Sequence, residues 1–320
     1  MSILPFPAWS RNCARLEGAL PFLSPTLAGM LAQRSLRRLW ASHVQQFPFE
    51  DRGLEHNPGL EAGELIRSWQ TRERQDFCAW ITRRGAAPLA EAARSVLRAK
   101  AASETYASLY EPAERALARL DALLPSHDPL GTLVAWIDQL RTQEIDFLEG
   151  GTETHLLLDH AWDRPAPRGA AWAASLALSL RPQLFSLGAA PLALAHLAPR
   201  GAFRAELEQS VESWLVTHLD RATTMACRDL ELCRQAEILG AERLAPRNSS
   251  SCAHRLWPLL VGLGPLTRAE VARTLGVTKA TASQAVEVLR EADLVSLRPD
   301  GAILVRGLRA STYERADTCW

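Results

Sequence analysis

The segment LTRAEVARTLGVTKATASQAVEVLREADLVSLRPDGAILV, residues 266–305, carries the densest set of local folding signals in the chain. Thr267 is followed three residues later by Glu270, the spacing of a capping box, which predicts the start of a helix. Gly276 predicts a sharp turn after that helix, because glycine adopts positive φ angles without a steric penalty. Thr278 then has the side chain of an N-cap, and the apolar spacing after it predicts a second helix that ends near residue 292.

The residues after the second helix predict a β-hairpin. Leu294–Leu297 and Ala302–Val305 are short apolar runs, and Arg298–Gly301 between them contains the residue types of a tight turn. A further helix, around Arg255–Leu263, would complete a three-helix core. The order of helix, glycine turn, helix and hairpin is that of a winged helix-turn-helix, and LGVTKATASQAVEVLREADLV resembles the recognition segment of bacterial winged-helix regulators. This resemblance implies that the segment binds DNA.

Seven residues of the second helix and the wing are candidates for DNA binding. An α-helix fits the major groove of B-DNA and presents the side chains near its N-terminus to the base edges. Gln284 has the geometry to bind adenine bidentately, while Thr278 and Ser283 suit phosphate oxygens. Lys279 is one of only two lysines in the chain and lies at the start of the helix. The predicted DNA-binding residues are Thr278, Lys279, Thr281, Ser283 and Gln284 on the helix, with Arg298 and Arg306 at the wing.

The charge of this segment leaves an alternative open. Residues 262–320 contain eight basic and seven acidic residues, a net charge of +1. That charge is low for a domain that must neutralise several phosphates. The acids of the second predicted helix, Glu287, Glu291 and Asp293, lie toward its C-terminal half, which we expect to point away from the groove. The alternative is that the same fold packs only against protein.

The composition of the whole chain narrows the class of protein. With 320 residues, 47% hydrophobic, the chain exceeds the usual size of a single domain, and its zero net charge excludes a uniformly basic nucleic-acid coat protein. The basic residues are 34 arginines and 2 lysines, a bias typical of GC-rich genomes, so the number of arginines does not by itself indicate nucleic-acid binding. Six cysteines without a CxxC pair, no secretory leader and no apolar run of membrane-spanning length predict a cytoplasmic bacterial protein without membrane contact.

Helical periodicity dominates the chain before the winged helix, and we expect a mainly α fold. Residues 203–239 predict one long helix, and strand signals appear only in about the last fifty residues. The expected organisation is a helical body at residues 1–245 with a subdivision near 159–169, a linker at 246–254, the winged helix-turn-helix with its small hairpin at 255–310, and a tail at 311–320.

Outside the winged helix, the sequence gives only weak indications of a metal, nucleotide or cofactor site. In ETHLLLDH, residues 153–160, a helix would place His155 and Asp159 on one face, and Glu153 or His160 could join them at a metal. The two histidines are five residues apart, which turns the second imidazole away from the first, so we favour a solvated helix end and expect no metal. The tryptophans have aliphatic neighbours at helical spacings, which favours core packing over base stacking. No phosphate-binding loop is present, and no cofactor is expected.

A second resemblance concerns the whole chain. The helical body, a long helix with a tryptophan near its start, a polar linker and a C-terminal winged helix together resemble Fic-type nucleotidyl transferases. They also resemble uncharacterised helix-turn-helix proteins of rhizobial plasmids. The Fic family uses an HPFxxGNGR loop, whereas DHAWDRPAPRGAAW, residues 159–172, has neither the GN pair nor the arginine arrangement that follows it. The resemblance therefore implies a protein without the Fic catalytic machinery, and we expect no enzymatic activity.

The sequence thus predicts a protein that binds double-stranded DNA and regulates transcription. A homodimer is expected, because one recognition helix reads only a few base pairs. The helical body would supply dimer contacts, a pocket for a small-molecule effector or a surface for a protein effector. The alternatives are a helical enzyme or a degenerate Fic-like protein in which the winged helix is a regulatory or protein-docking module, and an interaction protein whose winged helix touches only protein.

Overall fold

The computed structural model of the chain describes residues 8–46, 62–102, 111–144, 147–148, 152–157, 160–165, 168–187, 191–207, 209–247 and 251–308. Most of these residues are helical. The helices are α1 (Ala8–Ala19), α2 (Pro25–Gln46), α3 (Ala62–Arg84), α4 (Ala87–Lys100), α5 (Glu111–Ala122), α6 (Pro129–Gln143), α7 (Arg168–Ser179), α8 (Val211–Leu244), α9 (Cys252–Leu263), α10 (Arg268–Leu275) and α11 (Lys279–Glu291). The strands are β1 (Thr152–Leu157), β2 (His160–Pro165), β3 (Leu266–Thr267), β4 (Val295–Leu297) and β5 (Ala302–Val305).

The longest helix, α8, organises the body. Its buried stripe, which includes Leu215, Leu219 and Leu230, recurs at three- and four-residue spacings. Helices α1, α2, α6 and α9 pack against α8, and α2 also packs against α4, α7 and α9. The mainly α expectation is therefore confirmed.

The long helix begins later than the sequence predicts. Residues 200–203 form a 3₁₀ turn, and α8 begins only after Ser210, whose hydroxyl accepts a hydrogen bond from the backbone N–H of Ser213 at 3.2 Å. The prediction of a continuous helix from residue 203 is wrong. Ser210 is the N-cap of α8, so the helix starts after it and the residues before it are irregular. At the other end the helix continues to Leu244, beyond the predicted residue 239.

The expectation that strands occur only near the C-terminus is wrong. β1 and β2 form an antiparallel hairpin in which Thr152 pairs with Pro165 and Leu157 pairs with His160. His155 therefore lies in a strand rather than on a helix, so it cannot share a helix face with Asp159, which lies outside the described residues. The predicted break at 159–169 contains the strand β2. Pro165 is the last residue of this strand, a position where the missing N–H of proline is tolerated.

Tryptophan side chains pack in the core, as their spacing predicts. Trp40, Trp80, Trp136 and Trp257 are all buried. The indole N–H of Trp136 donates to the carbonyl of Ala116 at 3.0 Å, and that of Trp80 donates to the carboxylate of Glu114 at 2.9 Å. These four rings therefore pack in the core and do not form a surface for stacking bases. Cys227 and Cys233 are buried free thiols.

The C-terminal domain joins the body through several contacts. α9 packs on α2 and α8, and α10 packs on α4. Lys100, at the end of α4, places its ammonium 2.6 Å from the Glu270 carboxylate, and Arg273 donates to the carbonyl of Ala99 at 2.8 Å. α9 begins at Cys252, so the last residues of the range expected as a linker are helical. The other domain limits stay predictions, and the tail at 311–320 lies outside the described residues.

Candidate nucleic-acid interface

The first helix of the motif begins as the capping box predicts. The Thr267 hydroxyl accepts from the backbone N–H of Glu270 at 3.4 Å, and the Glu270 carboxylate accepts from the backbone N–H of Thr267 at 2.8 Å. Two N–H groups of the first turn are thereby satisfied. At the other end of α10, Gly276 has φ 64° and ψ 37°, and its N–H bonds back to the carbonyls of Ala272 and Arg273. This left-handed conformation is the reason for the glycine.

The second helix buries the face that the sequence predicts. Ala282, Ala285, Val286 and Leu289 of α11 are all buried, and the helix packs against α9, α10 and β4. The buried residues recur at spacings of three and four, so they form one face of the helix and leave the opposite face to solvent. The face that would enter a groove is therefore not covered by the described part of the body.

The wing is a three-stranded sheet in the order β3–β5–β4. The hairpin between β4 and β5 was predicted, and Val295 pairs with Val305 in its ladder. The two-residue strand β3 was missed, because a strand so short has no periodicity and is defined only by its pairing of Leu266 with Ile303. Gly301, at φ 81°, closes the turn.

The seven predicted DNA-binding residues all lie on solvent-facing parts of this domain. Thr278, Lys279, Gln284, Arg298 and Arg306 are exposed, and Thr281 and Ser283 are partly exposed. Lys279 has no ion-pair partner among the described residues. It lies at the N-terminus of α11, where the helix dipole adds positive potential. The start of this helix is thus the point in the domain best suited to attract a phosphate.

Two of the seven residues have structural partners that the sequence does not reveal. Arg298 forms an ion pair with Asp300 at 2.8 Å, and Arg306 forms one with Asp293 at 2.8 Å. Both pairs are exposed, so each contributes little to stability and can exchange its carboxylate for a phosphate. The wing arginines therefore remain suitable for backbone contacts, although their positive charge is partly compensated before DNA arrives.

Glu287 is closer to the groove face than its sequence position suggests. It is four residues after Ser283, so the two side chains lie on the same side of α11. Its carboxylate bonds to Arg290 at 2.6 Å and to Arg268 at 3.1 Å. The hydrogen bond from Arg290, followed by the charges of both arginines and the bond from Arg268, holds the pKa of Glu287 below its ordinary value. The Glu287 carboxylate thus stays ionised, and the two arginines compensate its negative charge.

Arg268 is a candidate that sequence reasoning missed. It is the first residue of α10, directly after the cap Thr267, and its guanidinium spans to α11. Nothing in the local pattern marks it, because its position beside the recognition helix depends on the packing of α10 on α11. An arginine that bridges the two helices here can contact the phosphates that flank the groove.

Thr278 has a capping role that can be separated from any contact with DNA. Its hydroxyl accepts from the backbone N–H of Thr281 at 3.1 Å. We expect Thr278→Ala to lower the free energy of unfolding by about 1 kcal/mol, because the first turn of α11 loses its cap. Thr278→Ser keeps the hydroxyl and should unfold at nearly the wild-type urea concentration. Equal stability of the alanine and serine variants in urea titrations would contradict the capping role.

These features define the class of the domain. A three-helix core with a glycine turn, an exposed second helix and a β-hairpin wing is a winged helix-turn-helix, the kind of domain found in DNA-binding transcription regulators. Residues 259–302 match the model of the MarR family. The match covers the end of α9, all of α10 and α11, and the wing as far as the first residue of β5. No curated protein matches the chain. Among the described residues, no helix is both long enough and apolar enough to span a membrane.

Proposed function

We propose that this protein is a sequence-specific regulator of transcription in the bacterial cytoplasm, and that its winged helix binds double-stranded DNA. The observation that carries the proposal is the exposed N-terminal half of α11, with Lys279 and Gln284 facing solvent. The match of residues 259–302 to the MarR family supports it. The proposed role is binding, and no reaction is assigned to the protein.

The proposed contacts divide into those that position the domain and those that read sequence. Gln284 is the base-reading residue, since its amide can pair with the N6 and N7 atoms of adenine. Lys279 binds a phosphate or the acceptor edge of guanine at the entrance to the groove. The remaining contacts are to the sugar-phosphate backbone, from Thr278, Thr281, Ser283, Arg298 and Arg306.

The near-neutral charge of the domain is compatible with this role. The carboxylates of Glu287, Glu291 and Asp293 each have an arginine partner, at 2.6 to 3.0 Å. The cationic Lys279 and the positive end of the α11 dipole are not compensated in the same way. We therefore expect modest affinity with a shallow salt dependence, since few phosphates are neutralised per domain.

A homodimer is part of the proposal. One recognition helix contacts three or four base pairs, which is too few to select a site in a genome. Two copies related by a twofold axis would read an inverted repeat with half-sites about 34 Å apart, one turn of the double helix. The helical body is the part of the chain large enough to hold the copies at that spacing.

The proposal is tested by selecting DNA fragments from a random pool and measuring affinity for the selected site by fluorescence anisotropy. Lys279→Ala with Gln284→Ala should weaken that affinity by about tenfold or more, since a bidentate base contact alone contributes about 1–3 kcal/mol. The slope of log Kd against log salt should fall by about one unit as one phosphate contact is lost.

The matched control is Arg11→Ala. Arg11 is an exposed cation on α1, which packs on α8 in the body rather than on the winged helix. This variant should bind the selected site as wild type does. Failure to enrich any DNA sequence, or equal affinities of wild type and the double variant, would overturn the proposed function.

A further inference from the structure

A cavity of about 100 Å³ lies in the helical body between α3 and α4. Its α3 side is lined by Thr71, Arg74, Gln75 and Cys78, whose spacings of three and four residues place them on one face of that helix. The opposite side is the C-terminal end of α4 and the two residues after it. An engineered protein cavity of about 150 Å³ holds a benzene molecule, so the volume here is sufficient for a ligand of about five or six heavy atoms.

Arg74 brings a guanidinium to this cavity without a counterion. It is half-buried, and no hydrogen bond or ion pair joins it to any residue that the structure describes. Burial lowers the pKa of Arg74 below its ordinary value, and interactions with Cys78 and Glu270 offset only part of this effect. The guanidinium is nevertheless charged at physiological pH, because it loses its proton only in strongly alkaline solution. A bound anion would replace the water that burial has removed from this charge.

The charges around the cavity fit a ligand with one negative charge. Arg74 and Lys100 are the cations that line it, and none of its described lining residues carries a carboxylate. The ammonium of Lys100 lies 2.6 Å from the carboxylate of Glu270, which compensates its charge. Arg74 has no such partner, so one positive charge is available to a ligand.

We propose that this cavity binds a monocarboxylate with a chain of about three or four carbon atoms, the size that the volume admits. The carboxylate would bind the Arg74 guanidinium, because the planar donor pair of arginine matches the two oxygens of a carboxylate. The hydrocarbon end would pack on Val96, Leu97 and Ala102, which line the α4 side. One charged group among apolar walls is typical of small-molecule sites.

The same cavity lies beside the junction of the body with the winged helix. Lys100 binds Glu270, whose carboxylate also accepts the backbone N–H of Thr267 in the capping box of α10. Next to Lys100, the carbonyl of Ala99 accepts a hydrogen bond from Arg273 of α10 at 2.8 Å. A negative charge bound in the cavity attracts the Lys100 ammonium away from Glu270, which weakens the hold of α4 on α10. This regulatory consequence rests on the proposed function, whereas binding of the carboxylate does not.

Isothermal titration calorimetry on the full chain, at constant ionic strength, tests the site without DNA. The probes are propionate and butyrate, each compared with its neutral amide. At least one carboxylate should bind saturably, and its amide should bind about tenfold more weakly or worse. Arg74→Gln should weaken binding of the carboxylate by a similar factor, since a hydrogen bond between charged groups is lost. The matched control is Arg72→Gln, an exposed arginine of α3 that does not line the cavity, and it should bind as wild type does.

Three results would overturn the site: no saturable binding of either carboxylate below about 50 mM, equal binding of acid and amide, or unchanged binding by Arg74→Gln. This variant removes a half-buried charge that has no partner among the described residues, so it should unfold at or above the wild-type temperature. Thermal unfolding of the variant therefore separates a lost site from a misfolded chain.

A bound carboxylate should also change the Kd for the selected DNA by at least about threefold. An unchanged Kd for DNA would overturn the coupling through Lys100 while leaving both the site and the proposed function intact. Failure of the chain to select any DNA would instead overturn the proposed function, and calorimetry would still decide whether the cavity binds the carboxylate.

Discussion

Asp229→Asn is expected to lower the free energy of unfolding by about 3–5 kcal/mol, among the largest effects of any single substitution in the body. Asp229 is 2% exposed and is the shared partner of Arg34 and Arg38. Asparagine keeps the size of the side chain but removes its charge, so two guanidinium groups, one of them buried, lose their counterion. Urea titration of the full chain, followed by circular dichroism, measures this change.

The matched control is Asp121→Asn. Asp121 pairs with Arg181 at 2.8 Å, yet its side chain is 48% exposed, and an ion pair so accessible to water contributes less than about 1 kcal/mol. Replacing Arg38 by glutamine in the Asp229→Asn background should recover part of the lost stability, because it removes one uncompensated charge. Equal effects of Asp229→Asn and Asp121→Asn would refute the buried network.

The same carboxylate predicts a dependence of stability on pH. Burial alone would raise the pKa of Asp229, but the charges and hydrogen bonds of Arg34 and Arg38 outweigh it and hold the pKa below its ordinary value of 3.8. The folded state therefore binds the proton less tightly than the unfolded chain. This contribution is present in full above the unfolded pKa and is lost as the pH falls through the lower folded value. In the Asp229→Asn variant, the free energy of unfolding should therefore fall less steeply as the pH is lowered.

Gly240→Ala is expected to destabilise the protein by about 1–3 kcal/mol, although alanine is the better helix former. A Cβ at residue 240 of α8 would lie 2.5 Å from two atoms of the Trp257 indole. Trp257 belongs to α9, is 3% exposed, and donates to the carbonyl of Ala236 at 2.8 Å. The new methyl group therefore has to displace the ring that joins the body to the winged helix.

Gly18→Ala is the control for this prediction. Gly18 lies in α1, is exposed, and a Cβ there would meet nothing within 4 Å. The same substitution should therefore stabilise the protein by about 0.5–1 kcal/mol, because it restricts the unfolded chain and favours the helix. Thermal unfolding of both variants gives the comparison. Opposite shifts of the midpoint are expected, and a shift to higher temperature for both would contradict close packing of Gly240 against Trp257.

Local signals account for the parts of the fold that the sequence predicted. The capping box at Thr267, the left-handed Gly276 and the cap at Thr278 each act within four residues, so each can be read without knowledge of the rest of the chain. The buried face of α11 follows from helical periodicity in the same way. These elements position most of the candidate DNA-binding residues, which is why their exposure agrees with prediction.

The features that the sequence did not predict depend on strand pairing and on the packing of distant segments. The β1–β2 hairpin and the short strand β3 have no distinctive periodicity, and each is defined by hydrogen bonds to a partner strand. The approach of Arg268 to Glu287 depends on how α10 packs on α11. The network around Asp229 of α8 joins it to Arg34 and Arg38 of α2, which are 195 and 191 positions away in the chain.

By itself the sequence determined most of the winged helix: the limits of α10 and α11, the glycine turn between them, the β4–β5 hairpin and the solvent-facing side chains at the start of α11. These follow from interactions between residues close together in the chain, whose energies do not depend on the remainder of the fold. Only the tertiary structure decided that the body leaves this helix uncovered and that Asp229 joins α2 to α8. It likewise decided that Arg34 and Trp257 connect the body to α9. Contacts between distant segments form only when the helices pack, because burial alone brings those side chains together.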